Sequence, residues 1–138
     1  TTPAIPNDSM VVGTICKFFA RVIVAQSGAN SANSTYRMKV GTTNIGTALA
    51  TSEYNHVHAE LSGSLVCRST GDTGTIMGSM SREMGPVYGE DYSEGASPTT
   101  VDTSGAGINP DVRIILDTVV NSPTWTVVDA WMTVEGLA

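Results

Sequence analysis

Between residues 56 and 68 the chain alternates with a period of two. Val57, Ala59, Leu61, Gly63, Leu65 and Cys67 occupy one set of positions, and His56, His58, Glu60, Ser62, Ser64 and Arg68 occupy the other. Only Val66 breaks the polar set. Side chains of a strand point alternately to opposite faces, so this pattern describes a half-buried strand with one apolar face. Such a strand cannot be stable alone. Its apolar face belongs in a core.

The rest of the chain supplies strands of the same kind. "MVVGTICKFFARVIVAQ" is rich in Val, Ile and Phe and reads as a short strand, an interruption at Gly13, and a longer strand from Thr14 to Gln26. "STYRMKVG" places Tyr36, Met38 and Val40 on one face and Thr35, Arg37 and Lys39 on the other. "NIGTALATS" reads as a short strand with a glycine interruption. After the turn "STGDTG", the run "TIMGSMSRE" returns as the partner of the first strand in a hairpin. Gly63 is expected to mark a bulge or bend.

Residues 83–110 are the least regular part. A structureless connection of that length is uncommon, so a short strand is expected near 99–103, with an exposed loop over roughly 84–98. "DVRIILDTVV" and "TWTVVDAWMTVEG" close the chain. In the last of these, Val128, Ala130, Met132 and Val134 form one face, and Trp125, Val127, Asp129 and Trp131 the other. About eight strands with turn-rich connections and no convincing helix predict an all-β, antiparallel β-sandwich of jelly-roll type. Residues 11–138 form its single domain. Residues 1–10, with Pro3 and Pro6, form an extended N-terminal arm.

Composition narrows the function. The chain has 138 residues and a net charge of −6, and only 14% of its residues are charged. Its seven basic residues are scattered, whereas nucleic-acid binding needs them clustered. No apolar run reaches the roughly 20 residues of a membrane helix. The first ten residues lack the basic and apolar regions of a signal peptide. Cys16 and Cys67 lie in apolar strand runs and read as buried free thiols; a disulfide between neighbouring strands is the alternative.

Three groups of residues bear on chemistry. His56, His58 and Glu60 share a strand face and carry metal-binding atoms, as in a cupin. The cupin pattern, however, places its glutamate further along and adds a third histidine, and this chain has only two. A polar strand face at a subunit contact is the preferred reading, with no metal and no cofactor. Glu90, Asp91 and Glu94 lack the spacing of a calcium loop, while Tyr88 and Tyr92 beside them suit a recognition loop. Trp125 and Trp131, with Asp129 between them, share a face expected to pack against a second sheet or the domain's own loops; the alternative makes them candidates for an oligomer interface, where Trp is enriched. The motifs GxSxG, HExxH, GxGxxG and the Walker loop are all absent, and a non-enzymatic role is expected.

Three stretches together carry a resemblance: "STYRMKVGTTNIGTALATS", "AELSGSLVCRSTGDTGTIMGSMS" and "TTVDTSGAGINPDVRIILDTVVNSPTWTVVDAWMTVEG". Their order and turn residues resemble β-rich virion proteins of tailed bacteriophages, over roughly residues 14–136. The resemblance implies a jelly-roll module, trimeric and displayed on the particle. Its recurring residues here are Arg37, Gly41, Gly63, Arg68, Gly71, Gly74 and Asp102, which look structural. The implied function is a capsid decoration or cement protein. It would be assembled in the host cytoplasm, located on the virion surface and partnered by the major capsid protein, with Pro3, Ile5 and Pro6 of the arm as capsid contacts. The alternative is a receptor-binding head of a fibre or tail appendage, using Tyr88 and Tyr92. A cupin-like metal-dependent enzyme is the weaker alternative.

Overall fold

The computed structural model describes residues 5–6, 9–25, 32–53, 57–84, 88–94, 98–104, 110–118 and 124–138. Every regular element among them is a strand: β1 (Met10–Ala25), β2 (Ala32–Val40), β3 (Thr43–Glu53), β4 (Val57–Ser69), β5 (Thr75–Met84), β6 (Tyr88–Glu94), β7 (Thr99–Thr100), β8 (Pro110–Thr118) and β9 (Thr124–Leu137). Two antiparallel sheets result. The larger runs β6-β5-β4-β1-β9, with β7 paired to β5, and the smaller runs β3-β2-β8. Hairpins join β2 to β3, β4 to β5 and β5 to β6. The β1–β4, β1–β9 and β2–β8 pairs are long-range.

Alternation sets the core. Ala59, Leu61, Leu65 and Cys67 of β4 are buried, as are Cys16, Phe18 and Val22 of β1 and Ile76 and Met80 of β5. The smaller sheet adds Tyr36, Met38, Val40 and Ile45 to the same cluster. Burying each large apolar side chain stabilises the fold by about 1.5–3 kcal/mol. Two glycines show how closely the layers approach. A Cβ on Gly78 would stand 2.8 Å from Met38 Cε and 2.9 Å from Ile45 Cγ2, both on the facing sheet. A Cβ on Gly63 would stand 2.7 Å from the ring of Phe18. Gly63 is therefore no bulge: it is paired in register with Phe18 and Met80, and its missing side chain is the space that the Phe18 ring uses.

Two irregularities differ from the sequence reading. Gly13 does not end a strand, because β1 continues through it. The residues between Met10 and Ile15 bulge against β9, with Gly13 at φ 93°. The Thr14 hydroxyl closes this bulge, donating to the Gly136 carbonyl at 2.8 Å and accepting from the Val11 amide at 2.9 Å. The second bulge lies in β9. Arg21 pairs with Asp129 but Val22 pairs with Val127, so Val128 is the extra residue.

Two expected surface segments are also corrected. Tyr88–Glu94, placed within an exposed loop over 84–98, is a strand along the edge of the larger sheet. Ile5 is 2% exposed and belongs to the core with Met10, so residue 10 does not separate a free arm from a domain. An apolar side chain with a place in the core is held there by the area it removes from water.

The turn after β4 is held by the segment around β7. The Thr103 hydroxyl accepts from the Gly71 amide at 2.8 Å, and the Thr103 amide donates to the Gly71 carbonyl at 3.0 Å. The Ser104 hydroxyl donates to Asp72 and Asp102. "STGDTG" and "TTVDTS", distant in sequence, thus form one unit in which Thr103 is buried.

Candidate interaction surface

The outer face of the larger sheet carries the functional candidates, and cross-strand register arranges them in rows. Trp131, Phe19, Ser62 and Ser81 form one row. Asp129, Arg21, Glu60 and Glu83 form the next, and Ile23 and His58 follow. Directly opposed residues share a face and touch. The Trp131 and Phe19 rings stack with centroids 6.0 Å apart and planes 19° apart. The Arg21 guanidinium lies 5.8 Å from the Phe19 centroid. It is also bonded to Glu60, with Nη2 2.7 Å and Nε 2.8 Å from Oε1. Ser62 and Ser81 hydroxyls are hydrogen-bonded at 2.9 Å. Lys17 and Glu135 make an exposed ion pair at 3.0 Å.

This arrangement sorts the candidates. His58 is exposed on the outer face, and Glu60 is joined to Arg21 rather than left open to a ligand. His56 lies outside the described residues. Among the described residues no three His, Cys, Asp or Glu side chains assemble as a metal site. Asp129 and Trp131 are neighbours on the outer face in register with Arg21 and Phe19. Trp125 is paired with Val24, in the opposite phase, because the bulge at Val128 breaks the alternation between the two tryptophans. The reading that puts both on one face is thereby corrected. Tyr88 and Tyr92 are paired with Met84 and Ser81 along β6. Pro6 is exposed and its carbonyl accepts from the Ser9 amide and hydroxyl; Pro3 lies outside the described residues.

Sequence reasoning missed two features. The first is Arg82, 2% exposed, whose guanidinium lies 5.4 Å from the Tyr36 centroid across the two sheets. Its signal was present, since Ile76, Gly78, Met80 and Arg82 share one phase of β5. The second is the concentration of exposed apolar side chains. Among the residues whose side chains are described, the large exposed apolar ones (Val11, Val12, Val127, Val128, Trp131 and Leu137) lie on β9 or the bulged start of β1. Patches of this sort mark contact surfaces.

Cys16 and Cys67 are free and buried in the core. Burial pushes the Cys16 thiol up to about 11, and the nearby Cys67 adds to the effect. Cys67 is likewise raised by burial, partly offset by a backbone hydrogen bond with Ser69. Thiolates carry the nucleophilic and metal-binding chemistry of cysteine, so both residues are core packing at neutral pH.

Among the described residues no helix is long and apolar enough to cross a membrane. Comparison with protein-family models, with characterised proteins and with solved structures found no match to the chain.

Proposed function

We propose that this chain is a non-enzymatic structural protein of a tailed-bacteriophage virion, a decoration or cement protein that binds the capsid surface as a homotrimer. Its two sheets, which share one core, are read as a β-sandwich of jelly-roll type. The observation that carries the reading is the cluster of exposed apolar side chains on the β9 side, with Trp131 stacked on Phe19. That is a surface built for macromolecular contact rather than a pocket built for a small substrate. The resemblance of residues 14–136 to β-rich virion proteins supplies the setting. Stabilisation of the shell would come from interface area between neighbouring major-capsid subunits.

Ile5 is occupied by the chain's own core, so capsid contact by the N-terminal segment rests on Pro3 and Pro6. The receptor-binding alternative rests on β6, whose position at the sheet edge puts the backbone of Tyr88 and Tyr92 at the margin of the molecule.

Imaging of native particles tests the proposal. Density for the chain repeated over the capsid lattice is the expected result. A few copies confined to one end of the particle would instead support receptor binding and overturn decoration.

A further inference from the structure

β9 is exposed in an unusual way: in its first half the side chains that are described are exposed on both faces, and no strand lies along its outer edge among the described residues. It pairs with β1 alone among the described residues and ends the larger sheet. On the outer face Trp131 is 50% exposed. Val127 is in register with Val22, a fully buried residue of the core-facing set, yet Val127 is 62% exposed. Val128, the extra residue of the bulge, is 52% exposed. Met132 and Val134 still pack against the core, but Ala130, in register with Ala20, is exposed. The covering layer therefore ends part-way along β9, and its 124–130 half projects beyond it.

We infer that β9 is the strand on which copies of this chain assemble, each β9 held between two neighbouring copies in a closed ring. This rests on the homo-oligomeric reading above and identifies where the copies meet. Three observations support a second copy as the occupant. The first is area. The six exposed side chains of β9 and early β1 present on the order of 500 Å² in all, so shared between two neighbours they give each contact an apolar centre of about half that, inside the roughly 800 Å² each partner gives to a standard interface. The second is charge. The chain carries −6, but along this strip Lys17 is paired with Glu135 and Arg21 with Glu60. Acidic copies therefore meet where each is most nearly neutral, and Asp129 is the one further charge in the strip.

The third observation is geometric. A two-fold contact gives each copy one partner. Edge-to-edge pairing of two β9 strands would occupy the backbone but leave Trp131 on one face and Val127 on the other still in water. A cyclic, head-to-tail contact gives each β9 two neighbours. One covers the Trp131 and Phe19 face, and the other covers Val127 and Val128. Three copies make the smallest such ring.

The test is the mass of the purified full chain, measured by sedimentation equilibrium at several concentrations. Three chains per particle are expected. Val127→Lys and Trp131→Lys act on opposite faces of β9, and each should lower the mass to that of a single chain. Thr70→Lys, at an exposed site just beyond the end of β4, should leave three. Far-UV circular dichroism reports whether each variant is folded. Hydrogen exchange on the unmodified chain gives an independent reading: amides of 124–131 should lose protection on dilution, while those of β4 keep it. A monomer or a closed dimer in the unmodified chain overturns the inference, as does β9 exchange that does not depend on concentration. Capsid attachment is measured separately. A trimer that does not attach overturns decoration and leaves β9 as the joint, whereas a monomer that attaches does the reverse.

Discussion

β4 and β9 are both long strands whose sequences alternate, and the molecule treats them differently. β4 lies between β1 and β5, and its apolar set from Ala59 to Cys67 is sealed beneath the smaller sheet. β9 has one partner, and from Thr124 to Trp131 each side chain that is described is exposed. Alternation reports which residues share a face; it does not report whether a layer exists to cover that face. An apolar set that finds no layer within its own chain becomes contact surface, and this is the difference between a core strand and an assembly strand.

Mutations should separate the two roles. The largest effect is expected under β4. Phe18→Ala removes the ring that fills the space left by Gly63 and should cost about 3–5 kcal/mol, whereas Val128→Ala should change the stability of a single chain by no more than about 0.5 kcal/mol. Urea titrations at concentrations low enough to keep the copies apart measure both. Equal losses would show that β9 is packed like β4.

The next effect is alkaline. Cys16 is raised to about 11 in the folded chain from an ordinary 9.0, so the folded state holds its proton more tightly than the unfolded state. That contribution is fully present below pH 9 and is lost as pH rises towards 11, a decline on the order of 2–3 kcal/mol. Cys16→Ala should flatten this part of the pH–stability curve, at the cost of a lower plateau. An unchanged slope would place the titration elsewhere.

The smallest effect belongs to the outer face. Glu60→Gln breaks the ion pair with Arg21, both partners being about two-fifths exposed, and should cost less than about 1 kcal/mol. A double-mutant cycle with Arg21→Gln measures the coupling. A value well above that would mean the pair is more deeply enclosed in the assembled protein than in the single chain.

The faces of β2 and β4 were legible because each strand alternates without interruption over its own apolar set, even where β3 shifts register against β2 between Tyr36 and Met38. Tyr36, Met38 and Val40 are buried as their alternation demands, and so are Ala59, Leu61, Leu65 and Cys67. Reading failed where register changes. Gly13 looked like a chain break but lies inside a bulge closed by Thr14, a residue whose role depends on Gly136 at the far end of the chain. Trp125 and Trp131 looked like neighbours on one face until the bulge at Val128 put them out of phase. A bulge belongs to a pair of strands, so neither strand shows it alone. Gly63 was misread for a related reason, since the ring that needs its space comes from β1. Of the candidate surface, Trp131 and Asp129 were legible as residue types, but their company was not. Phe19 and Arg21 join them only through the β1–β9 pairing.

By itself, the sequence determined that this chain is all-β, where most of its strands lie, and which side of β2 and β4 is apolar. These follow from short-range sterics and the two-residue period of a strand. Only the tertiary structure decided that Ile5 belongs to the core, that β1 unites β4 with β9, that Arg82 is buried against Tyr36, and that β9 is left uncovered. Each of these depends on pairings between residues far apart in the chain. Such contacts are selected by the burial and hydrogen bonding of the whole fold, which no local pattern encodes.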